Sequence, residues 1–190
     1  SYPTSYIVSN SGSATTRLAE TCNNAGNSDI IPSDEGVLYA EIAALANDGT
    51  YRLIGVSDGT TTNRLYIGYR SSSNAILCAV SVGGVEQTNM FDTISDVQSF
   101  VKVALKYKTN DFALWINGVE VLTDTSGITF PANTLNTATF SSGSGASEFY
   151  GKTKMVAVFP YLSNDELECL TGEGYASFEA LAAAYNYTTI

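Results

Sequence analysis

The sequence contains no histidine. This absence excludes nucleophiles activated by histidine, as in Ser-His-Asp or Cys-His enzymes, and the zinc sites that use imidazole ligands. Glycine-rich phosphate-binding loops are missing too, because Gly143 and Gly145 lie in a Ser/Gly stretch with no Lys-Ser or Lys-Thr after them. Several large classes of enzyme are therefore excluded.

Basic residues are scarce: 9 Lys and Arg stand against 19 Asp and Glu, which gives a net charge of −10. Binding to a nucleic-acid backbone requires clustered cations, so no nucleic-acid partner is expected. The same charge disfavours an anionic membrane surface. No apolar run is long enough to cross a bilayer, so we expect no membrane insertion.

Cysteine is also rare, and the three residues Cys22, Cys78 and Cys169 show neither close pairing nor zinc spacing. Cys78 alternates with Ile76 and Val80, which predicts a buried thiol. A disulfide framework is not expected. A reducing compartment would suit these cysteines during assembly, even if the protein works outside a cell.

The clearest positive signal lies between residues 101 and 122. Apolar residues alternate with other residues in 101–108 and again in 112–116, and period-two alternation is typical of strands with one buried face. Asn117-Gly118 then supplies a tight hairpin turn before 119–122. We therefore predict three consecutive antiparallel strands whose core side chains are Val101, Val103, Leu105, Phe112, Leu114 and Ile116.

Similar patterns recur along the chain with turn residues between them, which indicates a β-sandwich or barrel. Helices are predicted only near the end, where Ser163 and Glu166 form a capping box and Ser177 precedes an alanine-rich segment. We see no linker, so residues 1–190 are predicted to be one domain, excised from a longer protein. The further predicted strands are 5–8, 15–19, 37–45, 51–57, 63–69, 74–82, 85–91, 134–140 and 149–162.

Outward-facing aromatic and basic residues are the candidates for ligand binding. Trp115 has the parity opposite to its core neighbours, so alternation turns it outward. Arg64, Tyr66 and Arg70 lie opposite the inward set of their strand. An exposed aromatic ring stacks on a sugar ring while arginine binds hydroxyl groups. The alternative is that a neighbouring loop or a partner subunit covers Trp115.

Acidic residues suggest two further functions, both less favoured. A glycosidase needs two facing carboxylates, but Glu41 is the only acid inside its strand, Asp111, Glu120 and Asp124 flank hairpins, and the spacing of Glu166 and Glu168 on the predicted helix points them in different directions. Calcium is a possible ligand of loop acids, but none has the spacing of a compact calcium loop, so solvated turn acids and no cofactor are expected. The loop acids are Asp29, Asp34, Asp48, Asp58, Asp92 and Asp96.

The residues Val103, Ala104, Tyr107, Leu114 and Asn117-Gly118 give a hairpin that resembles the concanavalin A-like lectin/glucanase superfamily, and within it the laminin G-like branch. The opening, residues 5–20, looks like a segment that precedes such domains in bacteriophage tail-fibre and other virion proteins. Residues 156–168 are similar to the end of such domains.

This resemblance implies a two-sheet antiparallel jelly roll, all-β with short C-terminal helices. It further implies a non-catalytic carbohydrate- or receptor-binding domain of a virion or extracellular adhesin. The partners would be a cell-surface glycan or receptor and further copies of the chain, three if it belongs to a fibre. The Glu-x-Asp-x-x-Glu string of the glucanases is missing. A hydrolase with an atypical carboxylate pair and a purely structural subunit-contact domain remain as alternatives.

Overall fold

The protein folds as two five-stranded antiparallel sheets packed face to face. The computed structural model describes residues 26–172 except 73 and 144. Sheet 1 has the strand order β10-β1-β6-β7-β8, and sheet 2 has the order β5-β4-β3-β2-β9. The elements are β1 (Glu35–Ala44), β2 (Arg52–Ser57), β3 (Arg64–Tyr69), β4 (Ala75–Val82), β5 (Val85–Thr93), β6 (Val101–Lys108), β7 (Phe112–Ile116), β8 (Val119–Asp124), β9 (Thr137–Thr139), β10 (Gly151–Phe159) and α1 (Asn164–Thr171).

The predicted jelly-roll sandwich is confirmed, and eight strands predicted between residues 37 and 122 lie where the alternation placed them. Near the end, pairing is shorter than predicted. In the segment predicted at 134–140, only Thr137–Thr139 pairs with β2. The predicted strands 5–8 and 15–19, Cys22 and the helix after Ser177 lie outside the described residues.

The main core lies between the two sheets. Sheet 1 contributes residues such as Leu105 and Leu114, and sheet 2 contributes residues such as Ile67 and Cys78, all of them fully buried. Each such aliphatic side chain stabilises the fold by about 1.5–3 kcal/mol through removal of apolar surface from water. Burial raises the pKa of the Cys78 thiol, as expected of the predicted buried cysteine. All six predicted core residues of β6 and β7 belong to this cluster.

The hairpin between β7 and β8 turns at Asn117-Gly118, as predicted. Both residues have positive φ angles, 48° and 85°, which two-residue hairpin turns of this kind require. The amide of Gly118 donates a hydrogen bond of 3.0 Å to the hydroxyl of Thr171. The turn is therefore attached to the end of α1, the helix that follows the last strand.

Helix α1 begins with the predicted capping box. The Ser163 hydroxyl accepts from the amide of Glu166, and the Glu166 carboxylate accepts from the amide of Ser163. The helix lies on the outer face of sheet 1, where Leu167 is fully buried with Val37 and Tyr39. This second cluster is called the helix-covered cluster below; it comprises Val37, Tyr39, Ala104, Ala113, Trp115 and Leu167.

The expectation that Trp115 faces solvent is wrong, because only 5% of its surface is exposed. The alternation itself is correct, since Trp115 lies on the opposite face from Phe112 and Leu114. The alternative interpretation, that something covers this tryptophan, is the correct one. The cover includes α1, which begins at Asn164, and Leu162 of the segment just before it also packs against the same cluster.

Arg52 is the buried cation of sheet 2, and it pairs with the exposed Asp48 through a 2.7 Å contact between Nη2 and Oδ2. The hydrogen bond from Arg52 lowers the pKa of Asp48 from 3.8 to about 2. Since the folded-state pKa is the lower one, the pair stabilises the fold above about pH 4 and is lost as the pH falls to about 2.

We therefore expect Asp48→Asn to lower the thermal midpoint near neutral pH, and the difference from the unsubstituted protein to disappear near pH 2. Thermal unfolding followed by circular dichroism over that pH range measures it. A midpoint difference that does not change with pH would contradict this account of the pair.

Candidate functional site

The outer face of sheet 2 carries aromatic and polar side chains and is not covered by a helix in the part of the chain that the structure describes. Strand β3 turns Leu65, Ile67 and Tyr69 into the core, so its even-numbered residues point away from it. Cross-strand pairing then places residues of β4 and β5 beside them. We call this surface the Tyr66 face; its large and polar side chains are Tyr51, Arg64, Tyr66, Arg70, Glu86, Asn89 and Phe91.

Tyr66 stands at the centre of this face between two small residues. Its cross-strand partners are Gly55 on β2 and Ala79 on β4. Ala79 is followed in the same row by Asn89 on β5. The flank of Tyr66 above Gly55 is occupied by the backbone of residues 141–143, and Ala79 on the other flank is fully buried.

Both arginines of the face lie against aromatic rings. The guanidinium carbon of Arg64 is 5.2 Å from the centroid of Tyr66, and that of Arg70 is 3.7 Å from the centroid of Phe91. Arg64 also donates from Nη1 to the carbonyl of Ser142 at 3.1 Å. Such cation–π contacts hold a guanidinium in a defined plane and leave its remaining N–H groups available.

The aromatic side chains of this face are partly open to solvent. Phe91 is 46% exposed and Tyr51 is 40% exposed, while Tyr66 is half-buried. Burial raises the pKa of Tyr66, and the charge of Arg64 opposes that shift. Hydrogen bonds from Ser71 and Arg70 lower the pKa of Tyr51.

A loop forms a wall along one side of the face. Its residues 141–143 and 145–147 follow β9 and lie over β2. The Ser57 hydroxyl donates to the carbonyl of Gly143 at 3.0 Å, and the amide of Leu53 donates to that of Ser147 at 2.9 Å. Gly55 allows this approach, because a Cβ there would lie 2.8 Å from the carbonyl oxygen of Ser141. On the opposite side the face ends at the edge strand β5, where no other strand continues the sheet. The face is therefore bordered by the loop on one side and open on the other.

Three of the acids weighed above for a carboxylate pair have other partners. Glu41 pairs with Lys154 at 2.6 Å and Asp111 pairs with Lys106 at 2.7 Å, while Glu166 caps α1. On the described strands of the Tyr66 face, alternation leaves Glu86 as the one carboxylate, and it accepts a 3.0 Å hydrogen bond from the Asn89 amide.

Three of the six loop acids considered for calcium act within their own turns. Asp48, Asp58 and Asp96 accept hydrogen bonds from backbone amides two residues further on. Within residues 26–172, apart from the two omitted positions, no three His, Cys, Asp or Glu side chains lie close enough together to hold a metal ion. No helix of the described part of the chain is long and apolar enough to span a membrane.

The structure brings three of the four predicted binding residues together: Arg64, Tyr66 and Arg70 share one face. Trp115 lies on the outer face of the other sheet, beneath α1. Sequence reasoning missed Tyr51 and the residues of β5, Glu86, Asn89 and Phe91. Alternation within residues 85–93 is the signal that could have indicated Phe91, because Phe91 directly follows Met90, which is buried, and therefore points to the opposite face.

No protein-family model and no curated protein sequence matches this chain. Solved structures of similar architecture do exist. A native heptameric SAP-like pentraxin from Limulus polyphemus matches 83% of this chain and 78% of its own, with a TM-score of 0.57 and 10% identity. Domain 4 of AbnA, a GH43 extracellular arabinanase from Geobacillus stearothermophilus, matches 77% of this chain and 70% of its own, with a TM-score of 0.58 and 10% identity. NanB matches 80% of this chain and 28% of its own, with a TM-score of 0.58 and 16% identity.

Sequence identities this low establish a common fold and nothing further. Together with the strand order, they show that the chain has a two-sheet antiparallel jelly-roll fold.

Proposed function

We propose that this chain is a non-catalytic carbohydrate-binding domain and that the Tyr66 face is its binding site. The observation that carries the proposal is the presence of three partly exposed aromatic side chains, Tyr51, Tyr66 and Phe91, on one open sheet face with two arginines among them. A polar surface patch with no ligand would not need this concentration of rings.

The chemistry of the face suits a sugar. The apolar C–H groups of a pyranose pack on an aromatic ring, and the ring face of Tyr66 or Phe91 is the surface that can take them. Hydroxyl groups then need donors and acceptors, which Arg64, Arg70 and Asn89 supply. Domain 4 of the arabinanase AbnA was solved in complex with arabinotriose. That neighbour supports the proposal, because it shows that a domain of this fold can hold an oligosaccharide.

The non-catalytic part of the proposal rests on the carboxylates. Hydrolysis of a glycosidic bond uses two carboxyl groups about 5–10 Å apart on either side of the bond. The strands of the Tyr66 face offer Glu86 alone, and Glu41 and Asp111 are held by lysines on sheet 1. We therefore expect sugar binding without turnover.

The wider setting that we propose is a laminin G-like domain of a phage tail fibre or a similar extracellular adhesin. The sequence resemblance described above supports it, as does a surface rich in Ser, Thr, Asn and Gly. The partner would be a cell-surface glycan or receptor, and the chain would act as a homo-oligomer, a trimer in a fibre. Several weak sites on one assembly give high avidity without tight binding at any single site.

We expect Tyr66→Ala and Phe91→Ala each to weaken binding of an oligosaccharide by about tenfold or more, because each removes an aromatic packing surface worth roughly 1 kcal/mol beyond its area. A glycan array first identifies a bound oligosaccharide, and isothermal titration calorimetry then measures its affinity for each variant. Phe100→Ala is the matched control: Phe100 is also exposed and also carries a cation, Lys154, over its ring, 4.3 Å from the centroid.

Two results would contradict the proposal. One is that the folded protein binds no oligosaccharide on the array. The other is that Tyr66→Ala and Phe91→Ala bind as well as Phe100→Ala does. If the same two variants instead change the mass measured by light scattering, the face is a subunit contact and the structural alternative is correct.

A further inference from the structure

The cations of this acidic protein fall into two groups. Lys106, Lys108, Lys154 and Arg52 each contact a carboxylate at 2.6–2.7 Å. Arg64, Arg70, Lys102 and Lys152 form no ion pair among residues 26–172 as the structure describes them, and of these four only the two arginines lie on the Tyr66 face. Nineteen acidic residues are present for nine basic ones, so the lack of a partner for these two arginines is not due to a shortage of carboxylates.

The nearest acid of the face does not neutralise them. Glu86 lies on the edge strand β5 in register with Ser81, which in turn pairs with Arg64. Its carboxylate accepts its hydrogen bond from Asn89. The Nε of Arg64 is buried and has no hydrogen-bond partner among the described residues.

The two guanidinium groups are also oriented for a ligand. Each lies against a ring, so its plane is held and less side-chain freedom is lost when it binds. A planar guanidinium matches a carboxylate through two parallel N–H···O bonds, which are stronger than bonds to neutral hydroxyls. Arg64 begins β3 and Arg70 directly follows its last residue, so their Cα atoms are about 20 Å apart along the strand direction. Their guanidinium groups lie over Tyr66 and Phe91, which occupy neighbouring rows of the same face, so one ligand can contact both.

We propose that the Tyr66 face selects acidic oligosaccharides, those that carry sugar carboxylates, with Arg64 and Arg70 as the groups that recognise the charge. This inference rests on the proposed sugar-binding function and adds the class of ligand. The negative charge of the rest of the chain repels an anionic polymer, so the attraction is confined to this face and contributes to specificity.

The test compares each acidic oligosaccharide with its own methyl ester, which has the same sugar rings without the charge. The probes are oligogalacturonates, hyaluronan oligosaccharides and sialyllactose. We expect the acid to bind about tenfold or more tightly than the ester, since a hydrogen bond to a charged group is the stronger one. Arg64→Gln and Arg70→Gln are each expected to reduce this preference, and the double variant to abolish it.

Lys152→Gln serves as the charge-matched control, because Lys152 is exposed on sheet 1. It should keep the full preference for the acid, and thermal midpoints show whether each variant is folded. Equal binding of acid and ester would overturn this inference and leave the sugar-binding function intact. If the protein binds no acid, no ester and no neutral oligosaccharide on the array, both this inference and the sugar-binding function are overturned. Equal binding of an oligosaccharide that carries sulfate groups and no carboxylate would contradict the preference for carboxylates.

Discussion

Replacing Leu167 by alanine should destabilise the protein by about 3 kcal/mol, because truncating a fully buried leucine removes its burial energy and leaves a cavity. Leu167 is 0% exposed and lies in the helix-covered cluster with Trp115. Trp115 is the only tryptophan of the chain, so its fluorescence reports on this cluster alone. Loosening of α1 is therefore expected to shift the emission of Trp115 to longer wavelength and to increase its quenching by acrylamide.

Chemical denaturation and the emission spectrum in the absence of denaturant measure the two effects. Leu45→Ala is the control for the same substitution at a position that is 58% exposed, and it should change stability by less than about 0.5 kcal/mol. If Leu167→Ala unfolds at the same denaturant concentration as Leu45→Ala, then α1 does not cover sheet 1. An emission spectrum typical of an exposed indole in the unsubstituted protein would also show that α1 does not cover Trp115.

The second large effect is expected at Gly68, on the strand that carries Arg64 and Tyr66. Gly68 has a φ angle of 153°, and a Cβ there would lie 2.1 Å from the backbone oxygen of Arg52. That oxygen cannot move without displacing β2. We expect Gly68→Ala to destabilise the protein by about 3 kcal/mol or more, since it combines backbone strain with a steric clash.

Gly59→Ala separates the two causes. Gly59 also has a positive φ angle, 87°, but nothing lies within 4 Å of the position of its Cβ. Gly59→Ala should therefore lower the free energy of unfolding by only about 1–2 kcal/mol, the cost of placing alanine in a left-handed conformation. The free energies of unfolding of both variants come from denaturant titrations. If the two variants lose the same free energy of unfolding, the close approach of β3 to β2 does not exclude a side chain at Gly68.

Alternation within a strand predicts which side chains share a face, but not what lies on that face. The period-two pattern of β6 and β7 placed six core residues correctly and placed Trp115 on the opposite side. The capping box predicted helix α1 as well. That this helix packs on Trp115 depends on the return of the chain after β10, and no local pattern encodes that return.

The binding face shows the same limit. Parity along β3 predicted that Arg64, Tyr66 and Arg70 lie together. Phe91 joins them through the register of β4 with β5, and this register shifts at Val80/Ser81. A shift of one residue would turn Phe91 to the other face. The position of such a bulge depends on the fit of the two strands, so it cannot be predicted from either strand alone.

The two sheets also differ in the chemistry of their cations. All five lysines lie on sheet 1, in β6 and β10, whereas the described arginines lie on β2 and at β3. A reagent that couples to lysine ε-amines therefore attaches to sheet 1 and leaves the Tyr66 face unmodified. Protein coupled to a bead or a sensor surface through its lysines would present sheet 2 to the solution. A biotin or a dye added at these amines would label the protein on the side away from the proposed sugar site.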